Sequence, residues 1–502
     1  MLDRYKPGSD LTIMNTFYQY ALKDADGNRV KDYLAIIYKN NETGKKGYEI
    51  IKEPEFTFYK MIDEAPDYNQ LFIERDKVEP ITCKYSQLKK KIAEVTGNID
   101  FYNGNIQSGN SRENDKLFTV TSIFAADVSI EDYYRKEFGK KFLNNINRIT
   151  KSFFDIEVDT RYMSGTFVKP GECPVNAIGY FNADTYKITS YLLRNKRNTL
   201  IEEFENALNF NIFTYEDVKD FIKEAVGGWK QYKRYNLDRL EIEIKFFDYE
   251  IDLLKDFFAQ VHIDNNDFIE GWNSSAFDLD YIINRIMVLN YEPADIMCDQ
   301  SWEIKQVKNF VDQKHLSDFA ERGDYTFISG NTTWIDQMIQ FCSRRKAKIG
   351  SFDSFKLDDI GNMVAGVHKL DYSHITNDIS MLPWLNFKTF VLYNIMDVIV
   401  QHCIEFKSND LEYIFAKAIM NNTSYKKIHR QTVYLINRMN KEFEKLGYII
   451  GNNVNKWNEQ PDKFAGALVG DPLNITDYPK IKVGDRHINV IDSGQDLDKF
   501  VA

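Results

Sequence analysis

The chain has 502 residues, a formal net charge of −11, 43% hydrophobic and 14% aromatic residues. That length is too great for one compact core and sets an expectation of two or three domains, while only 11 Pro and 25 Gly argue against long disordered stretches. The acidic balance offers no global basic field for nucleic acid, and the scattered Cys83, Cys173, Cys298, Cys342 and Cys403, with no Cys-x-x-Cys, argue against a zinc ribbon or a disulfide frame. In the first part of the chain, Met14–Tyr20 and Asp32–Tyr38 read as strands around Asp24–Asn28, a hairpin signal. Glu55–Tyr59 reads as a further strand. Lys84–Val95 reads as a helix whose basic face, Lys84, Lys89, Lys90 and Lys91, is either solvated or DNA-bound. Asn103–Asn114, rich in Gly, Ser and Asn, reads as a loop, and Ile130–Asn147 as a helix.

From about residue 151 the pattern changes. Ser152–Asp159, Val175–Phe181 and Lys187–Leu193 read as three strands, followed by helical periodicity over Thr199–Ala225 and a strand over Glu241–Phe247. Tyr249–Val261 is an amphipathic helix, Asp267–Asn273 a strand running into a loop, and Phe277–Leu289 a helix. Three antiparallel strands followed by a β-α-β-α alternation is the ribonuclease-H-like layout, an α/β (α+β) fold with a mixed sheet flanked by helices. Beyond it, Phe327–Ser329 reads as a strand, and Thr333–Cys342, Lys356–Val367, Lys388–Phe406 and Leu411–Leu446 as helical. Ser343–Lys348 is a basic run, either a solvated loop or a phosphate contact. The chain start lacks an apolar h-region, and no apolar run is long enough for a bilayer, so a cytoplasmic protein with no membrane partner is expected.

Alternate side chains of a strand share a face, so Asp155 and Glu157 project together while Ile156 and Val158 point the other way. Two adjacent carboxylates in an apolar strand repel each other, which makes sense around a hard cation; ordinary surface acids on an exposed strand edge are the alternative. Asp278 lies at a helix start, where an acid is also favoured by the helix dipole. Tyr393 and Asp397 share one helix face, either as a surface pair or, given the apolar Val391, Leu392, Ile395, Met396, Val398 and Ile399 around them, as buried groups with a ligand role.

These three stretches, Asp155-Ile156-Glu157, Asn273 through Phe277-Asp278, and Tyr393 through Asp397, resemble in order and spacing the three exonuclease motifs of family B DNA polymerases, most nearly the T-even-type bacteriophage members. The resemblance implies a proofreading 3′→5′ exonuclease acting on single-stranded 3′ ends of primer-template DNA. Asp155, Glu157, Asp278 and Asp397 would hold two Mg²⁺ or Mn²⁺ ions, Tyr393 would orient the attacking water, and Asn273 and Phe277 would hold the terminal nucleotides, Phe277 being equally readable as a core residue. It further implies an N-terminal domain over 1–150, the exonuclease domain over 151–408, a helical return segment over 409–470 and the start of a palm over 471–502. Phe464–Pro472 resembles the segment before the palm, and His487–Asp492 reads as a strand start. The polymerase motifs expected beyond are missing, so the expectation is either a truncated polymerase or a subunit of a split one that works with a palm-, fingers- and thumb-bearing partner, in the host cytoplasm for a phage protein. A non-catalytic DNA-binding scaffold subunit is the alternative, and a free-standing repair exonuclease is disfavoured by the palm-entry segment.

Overall fold

The computed structural model describes residues 2–23, 29–452, 480–483 and 486–489. The first sheet is an antiparallel meander of β1 (Leu11–Lys23), β2 (Arg29–Asn40) and β3 (Lys46–Lys52). Lys23 pairs with Arg29 across the expected hairpin, whose turn Asp24–Asn28 lies outside the described residues. A second small sheet holds β4 (Glu55–Met61), β6 (Val78–Lys84) and β7 (Ile123–Phe124), with β5 (Phe72–Glu74) between them in sequence. Helices α1 (Leu88–Val95), α2 (Ile99–Gln107) and α3 (Ile130–Lys141) complete this part. Lys84 ends β6, and the helix begins only at Leu88. The lysines of that face meet local acids, Lys84 with Glu53 and Lys91 with Glu94.

Two expectations fail here. The Gly/Ser/Asn-rich stretch 103–114 is largely helical, α2 followed by a 3-10 stretch over Ser111–Thr119. Buried Leu117 and Phe118 anchor it, and buried Asn114 accepts the Asn105 amide at 2.9 Å, so tertiary contacts override weak local propensity. Helix α3 stops at Lys141, not Asn147, because the backbone beyond pairs with the chain start: Leu143 N–H donates to Ser9 O and Asn144 N–H to Leu11 O.

The central sheet has six strands in the order β11-β10-β9-β8-β12-β15. They are β8 (Lys151–Val158), β9 (Val175–Asn182), β10 (Lys187–Leu193), β11 (Glu241–Phe247), β12 (Phe268–Gly271) and β15 (Thr333–Asp336); β13 (Val307–Phe310) and β14 (Tyr325–Ile328) form a separate hairpin. Strands β8, β9 and β10 are antiparallel neighbours, whereas β11 runs parallel to β10, β12 to β8, and β15 to β12. This mixed sheet with helices on both faces is the ribonuclease-H-like arrangement. Phe154 and Ile156 face one buried cluster with α7 (Glu250–Asp264) and α8 (Asp278–Val288); Phe153 faces the other, with α13 (Phe387–Ser408).

The remaining helices are α4 (Thr199–Asn209), α5 (Tyr215–Ala225), α6 (Trp229–Arg234), α9 (Pro293–Met297), α10 (Gln337–Arg344), α11 (Leu357–Ala365), α12 (Leu382–Leu385), α14 (Asp410–Asn421) and α15 (Gln431–Lys445). Three long helical readings are thereby cut. Thr199–Ala225 is two helices, because Thr214 and Asp217 form a capping box that starts α5 afresh. Thr333–Asp336 is strand, not helix: it pairs with β12, and Asp336 caps α10 by accepting from Ile339 N–H. Leu411–Leu446 breaks after Asn421, where Asn422 adopts φ +50°. Strands Lys480–Val483 and Arg486–Asn489 pair as a hairpin, which covers the start of the expected strand at His487; Val490–Asp492 and Phe464–Pro472 lie outside the described residues.

Helix α13 is buried from Phe390 through Glu405. It lies close on the sheet at Gly179, where a Cβ atom would come 2.8 Å from the Asn394 carbonyl oxygen. Ser190 Oγ donates to Asn394 Oδ1 at 3.2 Å, and Gln401 donates to the Phe154 carbonyl at 3.2 Å. Gly179→Ala is therefore expected to lower stability by about 1–3 kcal/mol through overpacking against backbone. Urea unfolding measures it, and a change within about 0.5 kcal/mol would refute the close approach.

Candidate active site

Strand β8 carries Asp155 and Glu157 on the face that α13 covers, and Gly179 is the register partner of Asp155 on β9. The close approach at Gly179 thus lowers Asp397, one turn beyond Asn394, onto the two β8 acids. Carboxylate oxygens of Asp155, Glu157 and Asp397 all lie within 4.8 Å of one another. Asp397 is 0% exposed.

Asp278 is the first residue of α8 and is buried. Strand β12 pairs with β8 only as far as Glu270 opposite Phe153. Past that point the Ile156 N–H donates to Asp278 Oδ1 at 3.3 Å, so the acid stands where a strand partner would. The structure brings Asp278 beside the acid pair without placing it in the three-carboxylate cluster. Tyr393, one turn before Asp397, is 9% exposed and lies edge-on to Tyr372. Asn273 has φ +60°, and its carbonyl accepts the Phe277 N–H; Phe277 is 41% exposed, not core.

Two residues here escaped the sequence reading. Lys369 reaches in from the segment after α11, with Nζ 2.6 Å from Asp397 Oδ2 and 4.7 Å from the Tyr393 ring centroid. Arg322, 2% exposed, donates to Asn273 Oδ1 at 3.3 Å and pairs with buried Asp324. A single cation in a loop without periodicity carries no sequence signal among 64 Lys and Arg. The basic run is neither a free loop nor a site element: Arg344 and Arg345 both hold Asp410, and Lys346 pairs with Glu321.

The electrostatics follow from burial of like charges. Burial and then Asp397 and Asp278 raise the Asp155 pKa well above the carboxylate range. Burial and Asp397, opposed by Lys369, push Glu157 up to about 8. Burial pushes Asp278 to about 8 against the hydrogen bonds that favour its charged form. Burial alone would lower the Lys369 pKa, but Asp397, Tyr393, Asp155 and Glu157 outweigh it and raise it. One ammonium faces four carboxyl groups. Three carboxylates whose oxygens lie at this spacing, with the Lys369 ammonium beside them, fit a hard divalent cation such as Mg²⁺ or Mn²⁺.

A ribonuclease-H-like sheet that presents clustered carboxylates beside its central strand defines a protein of the nuclease class. The family profile described as DNA polymerase family B, exonuclease domain, matches residues 101–360, and the chain belongs to that family. It is also similar to a DNA polymerase of Autographa californica nuclear polyhedrosis virus, 20% identical over 318 residues, which is 56% of this chain and 30% of that protein. The chain thus aligns with less than a third of that polymerase's length. Among the described residues, no helix is long and apolar enough to cross a membrane.

These shifts set a pH dependence for the metal-free protein. Unfolded Glu157 and Asp278 release their protons near 4.5 and 3.8, whereas the folded chain keeps them up to about 8. Between those limits the native state binds more protons, so stability falls as pH rises. Thermal unfolding at pH 6 and pH 8.5 should show the lower midpoint at pH 8.5, and Glu157→Gln should flatten the slope. Mg²⁺ or Mn²⁺ should raise the midpoint more at pH 8.5 than at pH 6; an equal rise would contradict binding by these acids.

Proposed function

We propose that the chain is the 3′→5′ proofreading exonuclease portion of a family B DNA polymerase and hydrolyses the 3′-terminal phosphodiester of single-stranded DNA. The observation that carries this reading is the convergence of Asp155, Glu157 and Asp397, from β8 and α13, on one point within 4.8 Å. Asp155, Glu157, Asp278 and Asp397 are the residues that would hold two Mg²⁺ or Mn²⁺ ions. The chemistry supplied on binding is neutralisation of the phosphate in the transition state and a lowered pKa for the attacking water.

The chain's own groups do the rest. Tyr393 lies one helical turn from Asp397, the right place for its hydroxyl to orient the attacking water. Lys369 stabilises the ionised acids and holds a positive charge where the phosphate must approach. Asn273 and Phe277, on the turn that leads into α8, contact the terminal nucleotides; Phe277 exposes an aromatic face on which any base can stack. Residues 1–150 serve as the N-terminal domain, 151–408 as the exonuclease domain, 409–470 as a helical return segment and 471–502 as the beginning of a palm. DNA synthesis would then depend on palm, fingers and thumb elements beyond those in this sequence, acting on primer-template DNA in the cytoplasm of the cell that holds the polymerase.

A labelled oligonucleotide with Mg²⁺ tests the reading. The double variant Asp155→Ala, Glu157→Ala should lose at least about 100-fold in cleavage rate, the scale on which even outer-shell partners of metal ligands act. Shortening from the 5′ end, or equal rates in variant and wild type, would reject it.

A further inference from the structure

We propose that a row of cations on α14 and α15, formed by Lys417, Arg430, Arg438 and Lys441, grips the backbone of single-stranded DNA outside the exonuclease site; this rests on the exonuclease reading. The sequence supplies the charge. Residues 413–441 hold Lys417, Lys426, Lys427, Arg430, Arg438 and Lys441 and not one Asp or Glu, in a chain of net charge −11. A local island of one sign sets the field that a polyanion meets, whatever the total charge.

The fold lines the island up. Arg430 precedes the first residue of α15, and Tyr434, Arg438 and Lys441 follow at helical spacing, so the four share one side of the helix. Lys417 reaches across from α14 and stands 3.8 Å from the Tyr434 ring centroid. Buried Asn437 donates to Thr423 Oγ1 at 3.0 Å and seats α15 so that Arg430 and Arg438 stay exposed. Acids at the margins are engaged elsewhere: Glu412 with Lys151, Glu442 with Lys445, Glu444 with Lys136 and Lys140, and Asp312 with His315. Lys426 pairs with Glu131, but Lys417, Arg430, Arg438 and Lys441 meet no carboxylate among the described residues. Half-buried His429 registers the resulting field. Burial and then Arg430 push its pKa down to about 4, with Lys417 and Lys346 adding to the effect and Asp312 opposing it.

A single row of cations follows one strand. Tyr434 and the exposed Leu435 and Met439 beside it offer unstacked bases an aromatic and apolar surface without regard to sequence. The row also begins behind the exonuclease site. Arg322 donates to Asn273 Oδ1, and a Cβ atom on the next residue, Gly323, would stand 3.6 Å from Arg430 Nη2 and 3.7 Å from His429 Cε1. One strand can thus have its 3′ end at the carboxylates and its continuation on the row.

Salt dependence of binding by the full chain tests this, followed by fluorescence anisotropy in EDTA so that nothing is cleaved. The probes are a long oligothymidylate and a trinucleotide too short to span both places. Log affinity for single strands falls against log salt with a slope of about 0.7 per phosphate neutralised. The triple variant Arg430→Gln, Arg438→Gln, Lys441→Gln should therefore lower that slope by about 2 and weaken binding at low salt at least about tenfold, with the loss confined to the long strand. Lys89→Gln, Lys90→Gln, Lys91→Gln removes the same charge from an α1 face that pairs with Asp115 and Glu94, and should leave the slope as it is. An unchanged slope in the row variant, an equal loss in the α1 variant, or an equal loss for the trinucleotide would overturn the row. Polyglutamate competing as well as oligothymidylate would also overturn it, in favour of an acidic protein partner. In NMR the His429 ring should titrate at higher pH once the long strand is bound, because phosphates offset the cations; an unmoved titration counts against the row. A slope that falls in the row variant of a protein that removes no 3′ nucleotides would instead overturn the exonuclease reading and leave the row standing.

Discussion

The structure turns on the repulsion among carboxylates held together inside a protein. Asp155, Glu157 and Asp397 would separate in water, and burial makes their joint ionisation costlier still. They stay together because their backbones belong to elements that cannot move apart. Strand β8 is locked between β9 and β12, and α13 rests on β9 at the glycine opposite Asp155. The buried contacts of α13 that surround Asp397, with Ser190 and with the Phe154 carbonyl, set the helix in rotation and height. The cost of the acid cluster is thus offset by hydrophobic burial along nearly the whole of α13.

Much of this was legible in the sequence, for identifiable reasons. Strand alternation puts Asp155 and Glu157 on one face whatever else the fold does, and a four-residue spacing puts Tyr393 and Asp397 on one side of a helix. The central strands were readable because β-branched and aromatic residues dominate them. What failed was local reading where partners distant in sequence decide the outcome. Thr333–Asp336 becomes strand because β12 offers an open edge, and 103–114 becomes helical because Leu117 and Phe118 find a core. Lys369 and Arg322 were invisible because their importance lies only in which acids and amides they meet. Gly179 carried no motif, since its role is the space it leaves for a helix more than 200 residues away.

Strand β12 links the site to the N-terminal sheet. Asp267, just before it, is held by Lys39 at 2.7 Å and Lys46 at 3.6 Å, and accepts the Thr150 N–H at the start of β8. Burial lowers the Lys46 pKa to about 8 although Asp267 opposes it. Four residues further on, the strand ends at Gly271 and delivers Asn273 and then Asp278. Lysines of the first sheet therefore fix one end of a short rigid strand whose other end positions two residues of the site.

A second group of acids shows why a crowd of carboxylates is not by itself a metal site. Glu405, Asp410 and Glu412 gather beside α13 and β12, much as Asp155, Glu157 and Asp397 do. There, however, Lys151 meets Glu405 and Glu412, while Arg344 and Arg345 take both oxygens of Asp410. Glu270, fully enclosed and without a hydrogen bond, has its pKa raised well above normal by burial and then by Glu405. That cluster is charge-balanced by the protein's own cations and holds helices together. At the β8–α13 cluster three acids, with Asp278 of α8 beside them, face one lysine, and the imbalance stands beside two open clefts that share that lysine. A local deficit of positive charge next to open space, not the number of acids, separates a place built for divalent ions and a phosphate from a structural ion-pair network.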